Sequence, residues 1–266
     1  MAERKTILVM AGTKEGKEIA QNLSAQGHMV YESSTSHYDH RGLKEKVAIL
    51  SGAEDQGVIR ITESLSQEKI MELAKEKGIE LVVDATHPYA VNASRNAIAA
   101  CQELGIKYIR YEREKTDLPI SSLILPVKNY DEAAARAFSL GKRIFLTIGS
   151  RQLKPFVELG RHFQAFLIVR VLPWEESIRT CHSYGLSPDQ ILAMQGPFSK
   201  ELNMALFKEY KAEVIVSKNT GLEGGFKAKL DAALALNIPI VVIERPKIDY
   251  PVLSHNYSHI LSQINP

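Results

Sequence analysis

The sequence predicts an α/β protein made of two similar halves, each a mostly parallel sheet flanked by helices. Three observations lead there. The chain opens with "TILVMAGTKEGKEIA", an apolar strand that ends at a glycine and turns directly into a helix. Residues 80–113 and 213–245 repeat one pattern, which reads Glu, strand, polar loop, Ala-rich helix, Ile, strand, Glu-Arg, and their lengths differ by one residue. Short apolar runs also alternate with amphipathic stretches throughout, an arrangement that demands parallel strands joined by helical crossovers.

The elements follow in order. Thr6 to Met10 is an unbroken run of β-branched or apolar residues, the composition of a strand covered on both faces. After the Gly12 turn, Ile19, Ala20 and Leu23 fall at helical spacing, so a helix is expected over 14–26. Further strands are expected near 28–32, 47–50, 80–84 and 106–110, with helices near 66–77 and 90–104. The polar, proline-containing "EKTDLPISS" from Glu114 to Ser122 reads as a linker and divides the chain into domains 1–115 and 116–266. Beyond it, "RIFLTIGSRQLKPFVEL" repeats the opening unit. Strands are expected near 123–127, 143–148, 164–170, 190–194, 213–217 and 239–243, and helices near 130–140, 151–158, 174–182, 199–210 and 226–236. From Lys247 onward the composition is too mixed to assign an element.

Composition narrows the function. A net charge of +2, without long acidic or basic blocks, gives no electrostatic footprint for nucleic acid. Aromatic residues are 7% of the chain and do not interleave with basic ones, so a base-stacking platform is not expected either. No apolar run approaches a membrane span and the N-terminus lacks a signal-peptide core, which predicts a cytoplasmic protein. Cys101 and Cys181 lie in helical stretches without metal-type spacing and read as reduced, structural residues. His37 and His40 stand three apart, but no further ligands follow at zinc spacing, so no metal site is expected.

In an open parallel sheet, ligands bind beyond the carboxyl ends of the strands. The loops expected there are Gly12-Thr13-Lys14, Asp84 to Tyr89, Thr147 to Arg151, Gln195 to Ser199 and Ser217 to Gly221. They are rich in Gly, hydroxyl and basic residues and carry one acid, Asp84, as suits an anionic ligand. The Gly12 turn matches no register of the dinucleotide fingerprint, and a plain strand-to-helix turn explains it equally well. Gly149-Ser150-Arg151 reads either as a phosphate loop or as a turn in which Ser150 only caps the next helix. Lys218, with Asn219 and Gly221, offers a charge beside flexible backbone, or is a solvated lysine. His87 can donate a proton or bind a carboxylate, or can pair with Asp84 to cap its turn. Tyr89, Arg151, Arg170 and Arg245 are further candidates, with surface salt bridging as the alternative for each arginine.

As a set, "AGTKEGKEIA", "DATHPYA", "RYER", "TIGSRQL", "RVLP", "GPFS" followed by Asn203, and "SKNTGLEGGFKAKLDAA" resemble the precorrin-6A reductase family of cobalamin biosynthesis, in order and spacing, from Ile7 to Pro246. The resemblance implies two Rossmann-like domains with the active site in a cleft between them. It also implies transfer of a hydride from a reduced nicotinamide cofactor to the macrocycle of precorrin-6A, or of its cobalt form, giving precorrin-6B. By position it assigns Gly12, Thr13, Lys14, Gly149, Ser150, Arg151, Gln152, Lys218, Asn219 and Gly221 to the cofactor. Asp84, Thr86, His87 and Tyr89, with Arg170 and Ser199, fall to the tetrapyrrole substrate, and His87 is the candidate proton donor. Ala11, the Ser217–Gly221 loop and Glu114 depart from the usual pattern, and only the last bears on hinge geometry.

NADPH is favoured over NADH because the segment after the second strand lacks a clean acidic ribose reader, while Ser33, Ser34, Thr35 and Arg41 can receive a 2′-phosphate. Two alternatives stay open. One is a nucleotide-dependent transferase, and the other is a two-domain protein that binds an anion or nucleotide without turnover.

Overall fold

The computed structural model describes residues 3–34, 57–221 and 224–264. The chain forms two compact units, one holding the residues through Arg113 together with those from Lys247 on, the other running Glu114–Pro246. The tail, expected with the second half, therefore belongs to the first.

Unit 1 contains β1 (Thr6–Ala11), α1 (Lys14–Ala25), β2 (Met29–Ser33), β3 (Val58–Ile61), α2 (Gln67–Lys77), β4 (Leu81–Ala85), α3 (Val91–Leu104) and β5 (Lys107–Tyr111). The tail adds β12 (Leu253–Ser254) and α9 (Tyr257–Ile264). The sheet order is β12-β5-β4-β1-β2-β3, and the strands pair in parallel. Strand order reverses between β1 and β4, the switch point at which such sheets bind ligands. The expected strand at 47–50 lies outside the described residues, as do Thr35, His37, His40 and Arg41.

Alternation along β1 builds both layers at once. Ile7, Val9 and Ala11 pack with Ile19 and Leu23 of α1 and with Ile260 and Ile264 of α9. Leu8 and Met10 point the other way, onto Ile70 of α2 and Ala97 and Cys101 of α3. Thr13 starts α1 where it does because its hydroxyl accepts the Gly16 N–H and donates to the Ala85 carbonyl, each at 3.1 Å. Gly16 is needed where α1 sits down on β1, since a Cβ there would lie 2.9 Å from the Ala11 Cα.

Unit 2 contains β6 (Ile124–Val127), α4 (Tyr130–Phe138), β7 (Arg143–Leu146), α5 (Lys154–Phe163), β8 (Phe166–Val171), α6 (Glu175–Ser183), β9 (Ile191–Ala193), α7 (Lys200–Glu209), β10 (Val214–Lys218), α8 (Phe226–Ala235) and β11 (Ile240–Ile243). Its parallel sheet runs β6-β11-β10-β7-β8-β9. The two sheets have the same plan: the repeated segments supply β4 and β5 in one and β10 and β11 in the other. Phe145, Ile168, Ile215 and Val242 of the strands pack with Phe207 of α7 and with Phe226 and Leu230 of α8. α5 starts later than expected, at Lys154, because Leu153 is its N-cap and Pro155 occupies its first turn. Ser150 is therefore not the helix cap that the sequence suggested.

Candidate functional site

In unit 1 the loops after β1 and β4 emerge side by side, fixed by the pairing of Met10 with Asp84 and of Ala11 with Ala85. A Cβ added to Gly12 would stand 3.5 Å from the backbone of Thr86 and His87, so the turn lies against the His87 loop. Gly12 and Lys14 are exposed, and Lys14 forms a solvent-facing pair with Glu18 at 3.3 Å. Such a pair contributes little to stability and leaves the lysine accessible.

The His87 loop is held from beneath by a buried network. β4 and β5 set Asp84 opposite Arg110. Arg110 Nη1 donates to Asp84 Oδ1 at 2.8 Å and to Thr86 Oγ1 at 3.1 Å, and Nη2 donates to the Thr86 carbonyl at 3.0 Å. Thr86 donates its hydroxyl to Asp84 Oδ1 at 2.7 Å, and Tyr108 donates its hydroxyl to Asp84 Oδ2 at 2.7 Å. Burial by itself would raise the Asp84 carboxyl, but the Arg110 charge and the bonds from Ser94 and Thr86 hold it below the ordinary carboxylate range. Asp84 is fully buried, so its expected contact with substrate is corrected: it braces the loop instead.

His87, Thr86 and Tyr89 are half-buried. His87 Nδ1 accepts the Tyr89 N–H at 3.2 Å, which places the proton of the neutral ring on Nε2. The two rings stand 5.6 Å apart. The loop thus presents an N–H donor and a phenol from a braced backbone.

Unit 2 repeats the bracing device. Arg245 Nε donates to the Asn219 carbonyl at 3.0 Å, in the loop after β10, as Arg110 donates to the Thr86 carbonyl in the loop after β4. Arg245 Nη2 also donates to the Glu114 carbonyl at 3.0 Å, so this arginine secures backbone rather than facing a ligand. Asn219 donates from Nδ2 to the Thr116 carbonyl at 2.8 Å and is buried, so its side chain fastens the linker. Gly221 is buried at the end of the same loop.

The loop after β7 is open. Gly149 has φ +82°, a conformation that favours glycine, and no atom lies within 4 Å of where its Cβ would be. Ser150 is half-buried, while Arg151 and Gln152 are exposed. Leu153 offers α5 no side-chain cap, so first-turn N–H groups stay unused by side chains.

Basic groups collect beside these loops. Burial, then the nearby Arg151 charge, pushes the Lys218 amine down to about 8. Arg170 is 7% exposed and burial lowers it to about 10. Its guanidinium lies 4.6 Å from the Phe198 ring centre, and Nη1 donates to Asn203 Oδ1 at 2.9 Å. Asn203 in turn donates to the Ser199 carbonyl at 2.7 Å. Ser199 is an exposed N-cap whose hydroxyl accepts the Leu202 N–H at 3.2 Å.

Arg110, Asn203 and Lys229 were not among the residues that sequence reasoning put at the site. For Lys229 a signal existed: Phe226, Lys229, Leu230 and Ala233 fall on one helical face, and all four are buried. Among the described residues no group of acids, histidines and cysteines could hold a metal, and no helix is long and apolar enough to cross a membrane.

Comparison with known proteins is consistent along the chain. The family model described as precorrin-6x reductase CbiJ/CobK matches residues 6–265. The cobalt-precorrin-6A reductase of Methanocaldococcus jannaschii is 37% identical over 261 residues, 97% of each chain. That of Priestia megaterium is 34% identical over 256 residues, 96% of each. A solved structure described as CobK precorrin-6A reductase superposes with a TM-score of 0.76 at 24% identity, covering 98% of this chain and 96% of that one, and so shares the fold.

Proposed function

The chain belongs to the precorrin-6x reductase family, and from that premise we propose that it reduces the macrocycle of cobalt-precorrin-6A, or of metal-free precorrin-6A, to the corresponding precorrin-6B in cobalamin biosynthesis. The observation that carries this reading is the family match over residues 6–265. The names of the two relatives above support the cobalt form. The match also draws the reading away from a transferase or a binding protein without turnover.

The reductant in this reading is a nicotinamide dinucleotide, which supplies hydride when bound. The residues fit such a group. Unit 1 has a glycine turn at its switch point, and unit 2 has an open left-handed glycine in the loop that carries Arg151, whose charge acts on the half-buried Lys218. Gly12, Thr13 and Lys14 at the start of α1, Gly149 to Gln152 after β7, and Lys218 with Gly221 after β10 are the groups that would hold its phosphates. Asn219 serves by holding the loop. NADPH is preferred to NADH because Glu32, the acid near the end of β2, is buried and lies 3.8 Å from Arg60 rather than being offered to a ribose; Ser33 and Ser34 are buried as well, which corrects the expectation that they receive the 2′-phosphate.

For the substrate, Arg170 meets carboxylates of the macrocycle, and Thr86, Tyr89 and Ser199 supply further polar contacts. As the macrocycle accepts the hydride, His87 in its imidazolium form gives up a proton from Nε2 and is left as the neutral ring. Asp84 and Arg110 keep that imidazole in place. Location in the cytoplasm goes with this reading. The test is anaerobic incubation with cobalt-precorrin-6A and NADPH followed by mass analysis. A product heavier by the mass of two hydrogens is expected, and recovery of unchanged substrate contradicts the reading.

A further inference from the structure

The tail beyond Lys247 brings one side chain to the brace beneath the His87 loop. Tyr250, ahead of β12, is half-buried, and its ring centre lies 5.3 Å from the Arg110 Cζ, over the guanidinium. The backbone pins the tail there. Arg110 donates its main-chain N–H to the Val252 carbonyl at 2.8 Å, Glu112 donates to the Ser254 carbonyl at 2.9 Å, and His255 Nδ1 donates to the Glu112 carbonyl at 2.6 Å.

A guanidinium is planar and makes its hydrogen bonds at its edge. Arg110 spends that edge on Asp84 Oδ1 at 2.8 Å, on the Thr86 hydroxyl and carbonyl at 3.1 and 3.0 Å, and on Glu112 Oε2 at 3.4 Å from both Nε and Nη2. Its faces are therefore left to packing. A ring over one face attracts the cation and keeps water from the bonds to Asp84 and Thr86, which are stronger in dry surroundings. The Tyr250 hydroxyl stands 3.5 Å from Glu112 Oε2, a long contact that puts the weight of the interaction on the ring.

The consequence reaches the loop through Thr86, which precedes His87 in the chain. A guanidinium free to tilt carries the Thr86 carbonyl with it and turns the imidazole away. The Gly12 turn is fastened separately, by the Thr13 hydroxyl between the Ala85 carbonyl and the Gly16 N–H.

We propose that Tyr250 is a positioning residue for the reduction: its ring holds the Arg110 guanidinium against Asp84 and Thr86, and through Thr86 it sets the His87 imidazole. The part played in reduction rests on the function proposed above, whereas the hold on His87 is measurable without substrate.

The test compares Tyr250→Leu, Tyr250→Phe and Leu261→Ala in the full chain. Leu261, on α9, packs on the α1 layer of the sheet, whereas Tyr250 packs on the α2 and α3 layer, so the alanine change loosens the tail away from Arg110. Each variant is followed by single-turnover reduction of cobalt-precorrin-6A, by NADPH titration, by thermal melting and by the NMR signal of the labelled His87 ring without substrate. Tyr250→Leu should reduce the macrocycle about tenfold more slowly, the scale of a reacting group held out of place, at unchanged NADPH affinity, and its His87 signal should shift or broaden. Tyr250→Phe keeps the ring and should match wild type in rate and signal. Leu261→Ala should melt lower yet keep both, which separates positioning from stability.

An unmoved His87 signal in Tyr250→Leu, or equal slowing in Leu261→Ala, overturns the proposal. If the leucine variant fails to fold, Tyr250→Phe decides: wild-type rate and signal support the ring's role, and a comparable loss contradicts it. A wild type that reduces no macrocycle, with the His87 signal moved in Tyr250→Leu, removes the reductase reading and leaves the hold on His87 standing. Reduction by wild type with that signal unmoved does the reverse.

Discussion

The Arg110 guanidinium meets the Asp84 carboxylate at 2.8 Å with the two side chains 1% and 0% exposed, and Arg110 reaches the His87 loop through Thr86. The pair is sealed, so removing one partner leaves a buried charge. Arg110→Met is expected to lower unfolding free energy by about 3–5 kcal/mol. Arg110→Lys keeps the charge but loses the fork that spans Asp84 and Thr86, so it should fold and reduce substrate more slowly. Urea denaturation and turnover of the two variants check this.

The same pair sets an acid limit. Asp84 titrates below its unfolded value of about 3.9, so the stability it contributes is complete above that value and is lost as pH falls through the folded one. Urea midpoints measured from pH 6 downward should fall steeply in wild type below pH 4. They should fall less steeply in Asp84→Asn, which is less stable at pH 6.

His87 separates chemistry from binding. His87→Ala should lower the reduction rate by about 100-fold, the scale of a lost general acid, while the dissociation constant for NADPH stays the same. Single-turnover kinetics and cofactor titration measure the two quantities, and an unchanged rate rules His87 out as the proton donor.

The tail is part of the unit 1 core. Ile260 and Ile264 are at most 1% exposed against α1 and β1, and burial of such side chains contributes about 1.5–3 kcal/mol each. A chain ending at Pro246 should lose cooperative melting of unit 1 while unit 2, which closes before Lys247, keeps its own transition. Differential scanning calorimetry resolves the two.

Much of the fold was legible because it is local. The Thr6–Met10 run, the Gly12 turn and the repeated segments specify strands and helices from neighbouring residues, and the structure places the repeats at matching sheet positions. What the sequence hid is non-local. β12 is two residues long and pairs with Arg110 and Tyr111 from far along the chain, which no periodicity reveals. β3, "VIRI", is short and carries a charge that its pairing with Glu32 accommodates. At the site, the hydroxyls of Thr13 and Ser199 also cap α1 and α7, a structural role that the loop composition does not reveal. Arg110 was invisible because an arginine in a strand reads as solvated until its buried partner across the ladder is known.

Reduction of the macrocycle is tested most directly by anaerobic mixing with cobalt-precorrin-6A, using NADPH and NADH in parallel while nicotinamide absorbance and the macrocycle spectrum are followed together. Stoichiometric loss of both signals, faster with NADPH, is the expected result. Neither signal changing with verified substrate, in its cobalt and metal-free forms alike, would contradict it.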